Sequence, residues 1–266
     1  MLMALTIPSL CWGFGPPAKT ALVVTETGSG FQTDINAVVS FLSGRLTTAG
    51  YTVTSNVGVP GSLSGYNEIW DIRADTALSG SDITAYVAYM AGGGSLFAMG
   101  ENGTCCSARD ASVAALITAA GGGTVTLETN SANLQTVQAP FTGPVSLTTI
   151  TYADIGGFTS AGSGAFITKD TATSGGALIF GPGTMTNATS GVLASVLDVN
   201  FMDNNPPGSG LSQALTDNLI AYLGAPTVIP NSPLATPGPP TALLVAIGMG
   251  GAWLVAARRR PEIKRS

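Results

Sequence analysis

Two hydrophobic periods alternate along the first half of the chain. "TALVVTE" (residues 20–26) is a short, nearly continuous apolar run, the pattern of a strand buried on both faces of a sheet. Ile35, Val38, Val39, Leu42 and Leu46 then fall on one face at helical spacing, and Gly50 closes the segment. The rhythm repeats. "YTVTSNV" (51–57) and "NEIWDI" (67–72) read as strands, "SDITAYVAYMAGGG" (81–94) as a helix opened by a Ser/Asp cap and stopped by glycines, and "SLFAMGE" (95–101) as a fourth strand. "SARDASVAALITAAGGG" (107–123) is a further capped helix, with Val113, Leu116, Ile117 and Ala120 aligned. Strands separated by helices connect as parallel neighbours, so this alternation predicts an α/β fold with a mainly parallel sheet.

Between residues 124 and 185 the helical period disappears and Thr, Gly and Ser dominate. "TVTLET", "GAFITKD" and "GGALIFGPG" read there as strands that extend the sheet or form an antiparallel side sheet. "GVLASVLDVNFMD" restores the α/β rhythm with a strand ending in acidic and amide residues. "LSQALTDNLIAYLG" is a closing helix presenting Leu211, Leu215, Leu219 and Leu223. With no internal repeat or second boundary, one domain is expected over roughly 20–225.

Only 9% of residues are charged, and no histidine occurs in the 266 residues. Absence of histidine excludes a Ser/His/Asp or Cys/His catalytic pair and any imidazole-ligated metal. Over residues 1–257 five basic residues face fourteen acidic ones, a balance that repels phosphate backbones and argues against nucleic acid as a partner. The sparse charge, replaced by Gly, Ser, Thr and Ala, suits an exported bacterial surface protein.

Both ends have a separate character. Residues 1–19, "MLMALTIPSLCWGFGPPAK", are apolar but lack a basic leading region, and are expected to be a signal peptide that is atypical or missing its first residues. Residues 226–240 form a proline-rich spacer. Residues 241–257, "TALLVAIGMGGAWLVAA", carry no charge over seventeen positions and are expected to be a single transmembrane helix. The basic tail 258–266 begins with Arg258, Arg259 and Arg260, which the positive-inside rule leaves in the cytoplasm and the preceding domain outside. This three-part layout, with Pro237, Pro239 and Pro240 in "TPGPPTALL" where the sorting motif stands, resembles the C-terminal tails of the PEP-CTERM and IPTL-CTERM type. The resemblance implies processing by an exosortase-like membrane enzyme; simple anchoring is the other outcome.

The pairing of "YVAYMAGGGSLFAMGENG" with "VLDVNFMDN" and "LTDNLIAYLGA" resembles the class I glutamine amidotransferase-like superfamily, in its non-catalytic extracellular branches. That resemblance implies a flavodoxin-like three-layer sandwich. Active members place a cysteine in a strained Gly-x-Cys-x-Gly turn with a histidine to activate it. Here "GENG" (100–103) stands in that turn, with Glu101 and Asn102 nearest the nucleophile position, and Cys105 and Cys106 arrive several residues late. A thiol with pKa near 8.5 needs a base or cation beside it, and no histidine can serve. The two adjacent cysteines can close a vicinal disulfide, pair with another molecule, or stay as buried small hydrophobes.

Asp71, Glu101, Asp198 and Asp203 fall at or just beyond the C-terminal ends of predicted strands, the edge where open α/β sheets bind ligands. With Asn102 they form the candidate site. They can gather as oxygen ligands for Ca²⁺, accept hydrogen bonds from sugar hydroxyls, or simply cap helices and solvate loops. "GSG" (28–30) lacks the remainder of a dinucleotide fingerprint and reads as a tight turn. The expectation is a cell-envelope protein whose single external domain is a non-catalytic binding or structural module without a resident cofactor, with surface polysaccharide or envelope proteins as partners. The competing expectation is a carboxylate-dependent or Ca²⁺-assisted hydrolase using Glu101 and Asp198.

Overall fold

A computed structural model describes residues 19–202 and 209–225. Residues 1–18 of the expected leader, the proline-rich spacer, the expected membrane helix, the basic tail and Asp203 lie outside the described residues, and so do Pro237, Pro239, Pro240 and Arg258 to Arg260; Lys19, placed in the leader, opens the first strand instead. Among the described residues no helix is long and apolar enough to cross a membrane.

The strand of the first apolar run is β1, Lys19–Thr25, with Ala21 to Val24 fully buried, as a strand covered on both faces requires. Helix α1, Gln32–Thr48, buries Ile35, Val38, Leu42 and Leu46, and Gly50 follows it at φ +90°, a left-handed turn that an L side chain resists. Next come β2 (Tyr51–Val57), β3 (Glu68–Asp71), α2 (Gly80–Ala91), β4 (Ser95–Met99) and α3 (Gly103–Ala119). The cap of α2 is Ser79, two residues earlier than the sequence suggested. Its hydroxyl accepts from Asp82 N and the Asp82 carboxylate accepts from Ser79 N, a reciprocal capping box. Helix α3 begins at Asn102, ahead of the cysteines, and breaks its helical geometry at Cys106 (φ −125°, ψ 30°) before resuming.

The Thr/Gly/Ser-rich middle supplies β5 (Val125–Glu128), β6 (Leu134–Val137), β7 (Thr149–Thr151), β8 (Gly157–Ala161), β9 (Ala165–Lys169) and β10 (Ala177–Phe180). β11 (Val192–Val196), a 3-10 turn (Val199–Met202) and α4 (Ser209–Leu223) complete the described chain. Nine strands form one sheet in the order β2-β1-β3-β4-β11-β10-β9-β6-β7. β2 through β11 in that order are mutually parallel, and β10, β9, β6 and β7 extend the sheet antiparallel. β5 and β8 pair as a separate two-stranded sheet. The mixed α/β class with a large, mostly parallel sheet is therefore present, and the middle segment does both things left open for it: it extends the sheet and builds a side sheet.

Helix α2 packs against α3, and α1 packs against α4 and the 3-10 turn. Arg45 of α1 holds Asp217 of α4 through two bonds, Nε to Oδ1 at 2.7 Å and Nη2 to Oδ2 at 2.5 Å. Asn218 of α4 staples the loop before β7, donating to the Phe141 and Val145 carbonyls and accepting from Val145 N. Parallel strands that all point one way bring the ends of β1, β3, β4 and β11 to one edge, where the candidate residues lie.

Candidate functional site

At that edge β4 runs into the Gly100 turn. Gly100 N donates to Val196 O at 2.9 Å, and a Cβ at Gly100 would collide with Leu197 and the Asp110 carboxylate, so only glycine lets strand, helix and neighbouring strand approach this closely. Glu101 follows and is 2% exposed. Its Oε2 accepts from Val199 N at 2.7 Å, while Oε1 accepts from Asn102 N and Asn102 Nδ2, both at 3.1 Å. Burial pushes its carboxyl up to about 7 against the pull of those donors. Asp110, which accepts from Glu101 N at 3.0 Å, is raised to about 6, again chiefly by burial.

Asn102 caps α3 through Oδ1 to Thr104 N at 3.1 Å, and its Nδ2 reaches Asp154 Oδ2 at 3.3 Å. The loop carrying Asp154 lies over the turn. Gly156 N bonds Leu197 O at 2.9 Å, and a Cβ on Gly156 would stand 2.8 Å from the Glu101 carbonyl oxygen. Asp198, fully buried, accepts from Ala153 N at 3.0 Å and Asn200 N at 2.7 Å, tying the same loop to β11.

Asp71 belongs to a different group. Its carboxylate accepts from Arg73 Nη2 at 2.6 Å, Tyr86 OH at 2.8 Å and Arg109 Nη2 at 3.1 Å. Burial would raise this acid, but the Arg109 charge and the bonds and charge of Arg73 hold it below the ordinary aspartate range. Arg109 is fully buried and also donates to Met99 O at 2.7 Å, while Arg73 reaches Asp82 Oδ2 at 3.2 Å. The Asp71, Arg73, Arg109 and Asp82 charges thus cancel within one network.

The candidate acids consequently do not assemble as a ligand set. Asp71 is neutralised by arginines, Glu101 and Asp198 are spent on backbone amides, and among the described residues no three His, Cys, Asp or Glu side chains are grouped to hold a metal ion. Asp71, Glu101 and Asp198 each accept from donors in their own surroundings, and Asp203 lies outside the described residues. Glu26, which sequence reasoning passed over at the end of β1, behaves alike, accepting from Ala74 N at 2.8 Å and Thr76 N at 3.0 Å. In the "GSG" turn Gly30 N and Ser29 Oγ donate to Asp75, so its anion is an internal carboxylate.

Cys105 and Cys106 are joined as a vicinal disulfide at the start of α3, with Cys105 exposed and Cys106 buried. The bonded pair coincides with the break in helical geometry at Cys106. Neither sulfur is a free thiol there.

No protein-family model matches the chain. No curated protein matches it either. Solved structures do. One, described as "mmIFT52 N-terminal domain", superposes with a TM-score of 0.57 at 12% identity, covering 77% of this chain and 97% of that one. At such identity the likeness is one of fold alone. A second, the exo-β-1,4-mannosidase Op5Man5 from Opitutaceae bacterium strain TAV5, gives a TM-score of 0.48 at 14% identity. It covers 79% of this chain, which spans only 36% of that enzyme.

Proposed function

We propose that the chain is an exported cell-envelope protein, held in or sorted at the membrane by its C-terminal segment. Its external domain is a non-catalytic binding or structural module with an amidotransferase-like, flavodoxin-like three-layer architecture. The observation that carries the non-catalytic reading is the state of Glu101. It stands in the turn where catalytic relatives of that resemblance keep their nucleophile, yet its carboxylate is 2% exposed and bonded to Val199 N and Asn102 N. The loop at Gly156 closes over that turn, and the chain has no histidine to act as base. Glu101 and Asp198, the pair a hydrolase would need, are both buried and both engaged by backbone amides.

Support for export and anchoring is in the sequence: a charge-free run over 241–257 followed at once by three arginines, after a proline-rich approach. Intact mass of the protein from its native host tests this part. A mass ending near Pro240 signifies processing at the sorting tail, one that includes Ser266 signifies a retained anchor, and recovery of the full chain from the soluble cytosol overturns both. Hydrolase assays on the purified protein test the other part; turnover that disappears in Glu101→Gln overturns the non-catalytic reading.

A further inference from the structure

The edge opposite Asp71, Glu101 and Asp198 carries a recess of about 690 Å³, within the ~300–1,000 Å³ range of ligand clefts. It opens where β3 and β4 begin, between the 60–67 connection and the C-terminal half of α2. We propose that this groove binds a neutral oligosaccharide segment of a surface polysaccharide. The inference rests on the binding-module reading above and names its ligand class and site.

The chemistry of the walls selects the ligand. None of the lining residues is charged, so phosphates, uronates and basic peptides gain no ion pair there. Two tyrosines, Tyr66 and Tyr89, are half-buried in opposite walls and offer ring surface against which the apolar face of a pyranose can rest. Tyr89 is held in place: its hydroxyl lies 3.3 Å from the carbonyls of Tyr66 and Ser95, and its ring lies on Gly94, where a Cβ would collide with the ring carbons.

Hydroxyl-matching groups surround the rings. Ser62 and Ser64 are exposed and bonded to each other at 2.8 Å. Asn67 uses its Oδ1 to accept from Thr20 N and Oγ1, which keeps its amide protons for another acceptor. Gly61 and Gly65 keep the 60–67 side of the groove free of bulky side chains, while the amides of Gly92, Gly93 and Gly94 are bonded to the Ala88, Met90 and Tyr89 carbonyls.

A peptide fits poorly for two reasons. β3 and β4 are interior strands already paired on both sides, so no free strand edge is offered for strand addition. An amphipathic helix needs deep apolar pockets, and beyond the two rings the groove has only Pro60, the buried Leu63 and the small Ala85 and Ala88. An uncharged, hydroxyl-rich chain with apolar ring faces is the ligand that leaves the fewest groups unmatched.

The test uses the full-length protein, purified in a detergent without a sugar headgroup and titrated calorimetrically with neutral hexaoses of glucose, mannose and galactose and with a hexagalacturonate. At least one neutral hexaose is expected to bind and the anionic one not. Ala88→Trp, on the exposed face of α2, and Ser64→Trp, on the opposite wall, each fill the groove and are expected to weaken binding by about tenfold or more. Circular dichroism checks that both variants fold. Failure of every neutral hexaose to bind, or equal binding by both folded variants, overturns the proposal. Chromatography of the same mixtures reads the other question: shortened oligosaccharides would overturn the non-catalytic reading instead.

Discussion

Arg109 Nη2 donates to Asp71 Oδ1 at 3.1 Å across 38 residues of sequence, and neither side chain is exposed to solvent. Through Nε to Met99 O, Arg109 also fastens the end of β4 to the end of β3. The strand ends that would form a ligand cleft in an open α/β sheet are thereby locked by a neutral charge network.

Asp71→Asn is expected to destabilise the fold by about 3–5 kcal/mol, because it leaves the buried Arg73 and Arg109 guanidinium groups without their shared anion. Urea unfolding of the purified protein measures this. A change below about 1 kcal/mol would show that the network is solvated, in conflict with its burial.

Gly156→Ala is expected to cost about 1–3 kcal/mol and to lift the loop that carries Asp154 from the Glu101 turn, since the added methyl meets the Glu101 carbonyl oxygen at 2.8 Å and Leu197 Cβ at 3.1 Å. Hydrogen exchange gives the specific readout: the amides of Ala153 and Val199, protected by Asp198 and Glu101, should exchange faster. Unchanged protection at both would mean the loop does not close the turn.

The interior strands of the parallel half were legible because burial on both faces leaves an unbroken apolar run, as in Ala21 to Val24, while the edge strand β2 was legible from its β-branched residues. β6, β7 and β8 were not, and β6 shows why. Its Leu134 is 64% exposed while Gln135 is 1% exposed, the reverse of what hydropathy predicts. Gln135 is tolerated inside because Thr168 Oγ1 and Gly176 N donate to its Oε1 while its Nε2 reaches Ser131 and Ala132. The positions of Asp71, Glu101 and Asp198 at strand ends were readable, but their partners were not. Arg109 had one available signal: it lies four residues before Val113 and seven before Leu116, on the buried stripe of α3. A charge on an apolar stripe implies a buried counter-charge, here Asp71.

Alkylation under denaturing conditions is expected to leave Cys105 and Cys106 unlabelled without reductant and to label both after reduction, given their bond at the start of α3. Peptide mass mapping of protein isolated from the envelope reads this directly. Two labelled cysteines at 105 and 106 in unreduced material would replace the vicinal pair with free thiols.

Glu68 sets a pH dependence of stability whose sign can be worked out. It is fully buried at the start of β3, accepts from the Tyr51 hydroxyl and from Trp70 Nε1 at 2.8 Å, and burial pushes it up to about 7 from 4.5 despite those bonds and the Lys19 charge. Below pH 4.5 the carboxyl is protonated in folded and unfolded chain alike and contributes no difference. Between 4.5 and about 7 the unfolded chain gives up the proton and the folded chain keeps it, so the folded state binds more protons and stability falls as pH rises, by on the order of 3 kcal/mol across the window. Glu101 and Asp110, raised to about 7 and about 6, add to the same slope. Glu68→Gln is expected to be more stable than the parent above pH 7 and to show a shallower, not flat, dependence below it. Its amide keeps an acceptor for Trp70 and supplies a donor to the Tyr51 oxygen. Urea midpoints measured across the window decide: parallel curves for parent and variant, or a parent midpoint that climbs with pH, would mean Glu68 is ionised in the folded protein.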